Sequence, residues 1–153
     1  MVEEILAKYI TPEGELDCEA LIPYPQVYKD LDEAAAKIPF STPDRPKDGF
    51  NSGGYEWCVI HWGTKWGTYS GNGVRERGPS HPCNARLRNV KLTFQSAWSP
   101  PSPAIAELAS LYPDVEFNAR SYERGQEYKF IQDYDEGQLV REEKSVYRGR
   151  RGG

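Results

Sequence analysis

The chain has little of what enzymes and disulfide scaffolds are usually built from. Three cysteines, two histidines and one methionine are spread over 153 residues. An odd cysteine count without a regular framework argues against disulfides and for reduced thiols. No apolar run approaches the roughly 18 residues that a membrane-spanning helix needs. The opening "MVEEILAKYITPEGELD" is acidic and lacks the basic, apolar and small-residue order of a secretory signal. A cytoplasmic protein with no membrane partner is the expectation. No nucleophile elbow is present, and "GNG" at 71–73 lacks the strand-then-helix setting of a phosphate loop. Glu116, Glu123 and Glu127 fall where strands are expected, as members of a solvated face rather than a carboxylate pair. The sequence therefore predicts no catalytic residues and no cofactor.

What is present is aromatic. Rings make up 12% of the residues against 38% hydrophobic overall, which describes a thin core supplemented by large flat side chains. Residues 57–69, "WCVIHWGTKWGTY", hold three of the four tryptophans. Charge is uneven as well. The net charge is −4, yet residues 1–60 carry 5 basic and 12 acidic groups, a balance of −7. Residues 61–100 carry 6 and 1 (+5), residues 101–140 carry 3 and 8 (−5), and residues 141–153 carry 5 and 2 (+3). A chain that coats nucleic acid is usually basic overall, so the total argues against that role while the local basic blocks keep it open.

Periodicity places the elements. Val2, Ile5, Leu6, Tyr9 and Ile10 predict a short helix broken by "TPEG". From Pro25 to Ile38, apolar residues recur at helical spacing until Pro39. Tyr55 to Trp62 reads as a strand covered on both faces, and Val90, Leu92 and Phe94 as a one-faced strand running on to Trp98. Ser102 and Pro103 open a helix closed by Pro113. Val115, Phe117 and Ala119, then Tyr128 and Phe130, predict a hairpin turning at Gly125, and Leu139 to Tyr147 a last strand. The order implies an α+β architecture, an antiparallel sheet with helices on one face. At this length it is one domain over 1–147, with long loops at 40–54 and 70–88 and a basic tail at 148–153. The tail "YRGRRGG" carries an Arg-Gly-Gly element and a terminal Gly-Gly, and reads as a frayed, solubilising end.

Several words carry a resemblance. "GELDCEALIPYP" (14–25), "YEWCVIHWGTKW" (55–66), "FQSAWSPPSPAIAELASLYPDVEF" (94–117) and "YERGQEY" (122–128) resemble, in that order, the YubB-type ferredoxin-like domain of phage and plasmid proteins. The resemblance implies a ferredoxin-like split βαβ fold with two main helices on one sheet face. It also implies a phage or mobile-element origin in a host cytoplasm and no established biochemical activity.

Two clusters of residues are candidates for function. Gly63 suggests a bend, so Trp62 and Trp66, flanking "GTK", are expected at a sheet margin with their indoles outward. With Lys65, Tyr69, Arg75, Arg77, Arg86 and Arg88 they form the expected partner-binding set. Rings with a cationic rim suit two devices, the hot spot of a protein interface and the stacking platform for single-stranded nucleic acid. The acidic total favours a protein, and Trp57 and Trp98 are assigned to the core. The second cluster, Cys58, His61, His81 and Cys83, has zinc-ligand chemistry, but residues three apart on a strand face opposite ways, so no metal is expected. The leading expectation is an accessory protein that works by macromolecular binding. Its concrete form is inhibition of a bacterial defence complex such as a CRISPR effector, with acidic segments imitating phosphates. A single-stranded nucleic-acid binder is the alternative, and a zinc-containing enzyme the second alternative.

Overall fold

The computed structural model describes residues 1–78 and 88–147. Helix α1 (Val2–Tyr9) has Glu3 and Glu4 in its first turn and Lys8 in its last, matching the helix dipole. Lys8 pairs with Glu4 at 2.7 Å, one turn away. After a turn at Gly14 (φ 81°), Leu16 bridges back to Ile10, and Asp17 caps the short helix α2 (Cys18–Leu21) through Ala20 N–H at 2.9 Å. Helix α3 (Gln26–Ala36) follows Pro25 as its spacing predicts. Arg45 donates to Ala35 O near the helix end at 2.8 Å and to Ile38 O just beyond it at 3.0 Å. A single 3-10 turn, Phe50–Ser52, lies inside the expected 40–54 loop and is fastened by Phe50 N–H to Asp32 at 3.0 Å.

Residues 54–61 overturn the expected strand: Gly54–His61 is helix α4. Short apolar runs suit either state, and here the fourfold spacing of Gly54, Cys58 and Trp62 decides. It turns Gly54, Cys58 and Trp62 inward together. Trp57 and His61, one turn apart, stack at 4.3 Å. The bend expected at Gly63 is real, but it ends a helix. Gly63 adopts φ 83° and its N–H reaches back to Cys58 O at 3.1 Å. A Cβ there would lie 2.3 Å from Pro103 Cδ, so only glycine fits.

The described part of the 70–88 loop contains strand β1 (Arg75–Arg77), paired antiparallel with β2 (Asn89–Lys91). The strand expected to run from Val90 to Trp98 is thus cut short, and an isolated bridge joins Tyr69 to Gln95 beyond it. Helix α5 (Ser102–Leu111) starts where the Ser-Pro pair predicts. Ser102 is already helical, and its hydroxyl donates to Gln132 Oε1 at 2.6 Å. Strands β3 (Phe117–Glu123), β4 (Tyr128–Asp135) and β5 (Gln138–Val146) form an antiparallel meander in the order β3-β4-β5. Glu136 and Gly137, both at positive φ (48° and 76°), make the two-residue turn between β4 and β5.

The α+β class holds, as helices with two antiparallel sheets, and α5 is the main helix on the three-stranded sheet. Helix α5 packs on β4 and β5, and α2 and α4 pack against α5. Between them lies the core of Ile5, Leu16, Cys18, Cys58, Trp62, Ala104, Leu108 and Tyr112. The opposite face of β4 carries a charged cluster beside the buried Ile131. Asp133 accepts from Asn118 at 3.0 Å and Arg120 at 2.7 Å, and Arg141 lies 3.6 Å from Asp133 and 2.7 Å from Glu143. Burial alone would raise the Asp133 pKa, but the hydrogen bonds from Arg120 and Asn118 and the charges of Arg120 and Arg141 hold it below its usual value. No helix among the described residues is long and apolar enough to cross a membrane.

Candidate functional site

The two tryptophans expected at opposite ends of the burial scale exchange places. Trp62, expected outward, is 6% exposed, and its indole N–H donates to Ile22 O at 2.8 Å. Its ring meets Trp57 edge-on at 5.5 Å and Tyr24 at 6.0 Å. The helical turn that puts Cys58 inward carries Trp62 with it, which removes it from any contact surface. Trp98, expected in the core, is 66% exposed.

Trp98 also sits at φ 71°, a left-handed backbone that is a genuine outlier for a bulky residue and costs about 1–3 kcal/mol. Its neighbours hold it there. The carbonyl of Ala97 accepts the hydroxyl of Thr64, a fully buried side chain, at 2.9 Å. Ser96 donates to Ser99 O at 2.7 Å across the tryptophan, and Ser99 donates to Gly63 O. The strained indole thus rides on the same glycine turn that ends α4.

Around it the sequence brings together rings from three segments. Lys65 Nζ stands 4.9 Å from the centroid of Trp66, 5.9 Å from Tyr55 and 5.9 Å from Trp98. Trp66 is 45% exposed. An open cavity of about 250 Å³ is lined by Phe50, Asn51, Tyr55, Glu56 and Lys65, with Phe50 and Tyr55 edge to face at 5.6 Å. A second, of about 210 Å³, is lined by Trp98, Ser99, Pro100, Gln126, Tyr128, Phe130 and Lys144. There Lys144 Nζ lies 5.7 Å from the Tyr128 ring, and burial followed by the charge of Glu123 pushes the Tyr128 hydroxyl pKa up. Each ammonium is in cation–π range of a ring. Among the described residues neither lysine has an ion-pair partner.

The rest of the expected partner set is scattered. Tyr69 is tied by backbone hydrogen bonds to Gln95 at 2.9 and 2.7 Å. Arg75 and Arg77 lie on the exposed β1 strand. Arg88 is held by Glu76 at 2.6 Å and by Glu3 of α1, so its charge is already answered. Arg86 lies outside the described residues. Of the expected set, Lys65 and Trp66 meet in the ring cluster. Tyr55, Trp98 and Lys144 were missed. The "AWSPP" word signals a rigid turn at Trp98, whereas nothing local marks Lys144.

The cysteine–histidine cluster does not converge where it is described. Cys58 is buried in the core, while His61 is exposed with Nδ1 2.9 Å from Trp57 O. His81 and Cys83 lie outside the described residues. No three His, Cys, Asp or Glu side chains among the described residues are grouped to hold a metal. Burial, the leading cause in both, pushes the Cys18 thiol pKa up to about 12 and that of Cys58 up to about 11, so both stay protonated and poor nucleophiles. Glu123, one of the strand carboxylates, accepts from Gly125 N–H at 2.8 Å in its own turn.

No curated protein and no solved structure matches the chain. Residues 80–145, spanning the segment from before β2 through α5 to β5, match a family model described as a ferredoxin-like domain in Api92-like protein.

Proposed function

We propose that the protein acts by macromolecular binding rather than by chemistry, and that a protein partner docks on the outward side of α4 together with Trp66 and Trp98. One observation carries this reading. Helix α4 carries only two polar side chains, Glu56 and His61, and its solvent side also displays large apolar residues. Tyr55, Val59 and Ile60 remain exposed, Ile60 at 68%. A helix at a surface normally turns a mainly charged and polar side outward, whereas here aliphatic and aromatic residues share it. Tyr55 and Val59 are one turn apart and Lys65 Nζ stands 5.9 Å from the Tyr55 centroid, so the apolar residues run on to the ring cluster. Exposed aromatic and aliphatic anchors with a central cation suit a protein interface.

In its fuller form this proposal includes YubB-type kinship, a phage or plasmid setting and a host-cell partner such as a bacterial defence complex. The −7 block of residues 1–60 and the −5 block of residues 101–140 would imitate phosphates at its nucleic-acid-binding surface. Single-stranded nucleic acid is the second reading, supported by Lys65 over Trp66 and Trp98. Against it stand Glu56 in the adjoining cavity and the pairing of Arg88 with two carboxylates.

Capture from bacterial lysate on the immobilised protein tests the interface. A specific partner is expected to be lost with Ile60→Arg and weakened by Trp66→Ala, while the thermal melt is kept. A captured set identical for the parent and both variants removes the α4 surface from the account. A labelled oligothymidylate shifted at low salt and released steeply as salt rises establishes the nucleic-acid reading instead.

A further inference from the structure

We infer that the surface centred on Trp98 receives an extended acidic peptide segment of the partner, with carboxylates at Lys65 and Lys144 and an aromatic or apolar side chain on the Trp98 indole. This deepens, and rests on, the protein-binding reading.

Three independent features meet at Trp98. Its backbone is held in a left-handed conformation by hydrogen bonds to both flanking residues, so its exposed position is enforced by the fold. Strain of this kind persists where the surroundings over-determine it, and such sites cluster at ligand-binding positions. The second feature is charge. Lys65 stands over the Trp98 ring, and Trp98 also lines the cavity that holds Lys144, yet neither ammonium meets a carboxylate among the described residues. By contrast, Arg88 pairs with Glu76, Arg120 with Asp133 and Arg141 with Glu143. In a protein of net charge −4, these two lysines flank one aromatic strip. The third feature is shape. Trp98 lines the open cavity of about 210 Å³, and Lys65, 5.9 Å from the Trp98 centroid, lines the other of about 250 Å³, which suits an extended chain reaching from one to the other.

The chemistry selects a peptide over a polynucleotide. A nucleic-acid strand brings a phosphate at every step and gains from a continuous cationic track. Here the cations are two, and Glu56 lines the first cavity. Two carboxylates flanking one ring-bearing side chain match the strip, and they add direction and specificity to the apolar docking on α4.

The test uses the full chain and fluorescence anisotropy with three labelled probes: an alternating Glu-Tyr peptide, the matching Lys-Tyr peptide and an oligothymidylate. The Glu-Tyr peptide is expected to bind and to weaken with salt, the Lys-Tyr peptide not to bind. Trp98→Gly suits the positive φ and removes a mostly exposed ring, so the fold is kept while Glu-Tyr affinity falls about tenfold, as for an interface anchor. Lys144→Glu, a change at an exposed position, is expected to abolish the preference for Glu-Tyr over Lys-Tyr. Equal binding of the two peptides, preference for the oligonucleotide, no binding of any probe, or a Glu-Tyr affinity indifferent to both variants overturns the proposal. If Glu-Tyr fails while lysate capture still depends on Ile60, this inference falls and the α4 interface stands. If Glu-Tyr binding depends on Trp98 while capture ignores Ile60, the reverse holds.

Discussion

Trp62 and Trp98 are the same residue type on the two sides of one glycine turn, and the fold treats them in opposite ways. Trp62 ends α4 with its ring against Trp57 and Tyr24 and its N–H satisfied by Ile22 O. Trp98 projects into solvent from a backbone that an L-residue rarely adopts. Gly63 connects them: its φ of 83° lets α4 stop, and its carbonyl receives Ser99 from the Trp98 turn. An indole therefore stabilises this protein in one place and is displayed at some cost in stability in the other. Ring content alone says nothing about which of the two a given tryptophan does.

The comparison can be broken most severely at the buried ring. Trp62→Ala removes a packed indole and orphans Ile22 O, and is expected to destabilise by about 3–5 kcal/mol. In a domain of this size that lowers Tm by about 10 °C or more, measurable by circular dichroism. A Tm within about 2 °C of the parent would show that Trp62 is not a core residue. Gly63→Ala strikes the shared turn, where the new Cβ meets Pro103 and Pro100 at a disallowed φ. A loss of about 1–3 kcal/mol in denaturant unfolding is expected, with the Trp98 surface loosened as well.

A smaller effect belongs to the charged sheet face, which carries no displayed ring cluster. Because the Asp133 pKa is lowered in the folded state, its contribution is present above the unfolded carboxyl value near 4 and is lost as pH falls through the still lower folded value. Asp133→Asn is expected to cost about 1 kcal/mol at pH 7. It should also flatten the fall in denaturation midpoint between pH 5 and pH 2 relative to the parent, and an unchanged acid profile would assign that fall to other groups. The smallest effect is expected at the displayed ring. Trp98→Gly relieves backbone strain at the expense of a more flexible unfolded chain, so Tm should be unchanged or slightly raised. A loss as large as that of Trp62→Ala would place Trp98 among the supports of the fold.

Much of the architecture was legible locally. Helices α1, α3 and α5 and strands β3 to β5 follow from apolar spacing and from Pro, Gly and Ser punctuation, signals acting over a few residues. The failure at 54–61 has a definite cause. Alternating assignment put Tyr55, Trp57, Val59 and His61 on one face, and the same letters support a helix in which Gly54, Cys58 and Trp62 point inward. What chooses is Tyr24 and the α5 side of the core, remote in sequence. The error then propagated to the site: a strand leaves Trp62 at a margin, a helix buries it. Lys65 and Trp66 were found because they flank the glycine bend, which exists in either reading. Lys144 was not, because a lysine among Arg141, Glu142 and Glu143 is locally an ordinary edge-strand charge.

The sequence by itself determined the class of the fold, most element positions, the turn at Gly63 and the scarcity of groups for redox, metal or nucleophilic chemistry. Those properties depend on backbone preferences and on which atoms are present at all. Only the tertiary structure decided which rings are inside, which lysines lack a carboxylate and that Trp98, Lys65 and Lys144 border one surface. Burial and charge pairing are relations between segments far apart in the chain, as between Arg88 and Glu3, 85 positions apart. They come into being only when the packing of α4 and α5 sets where each segment ends.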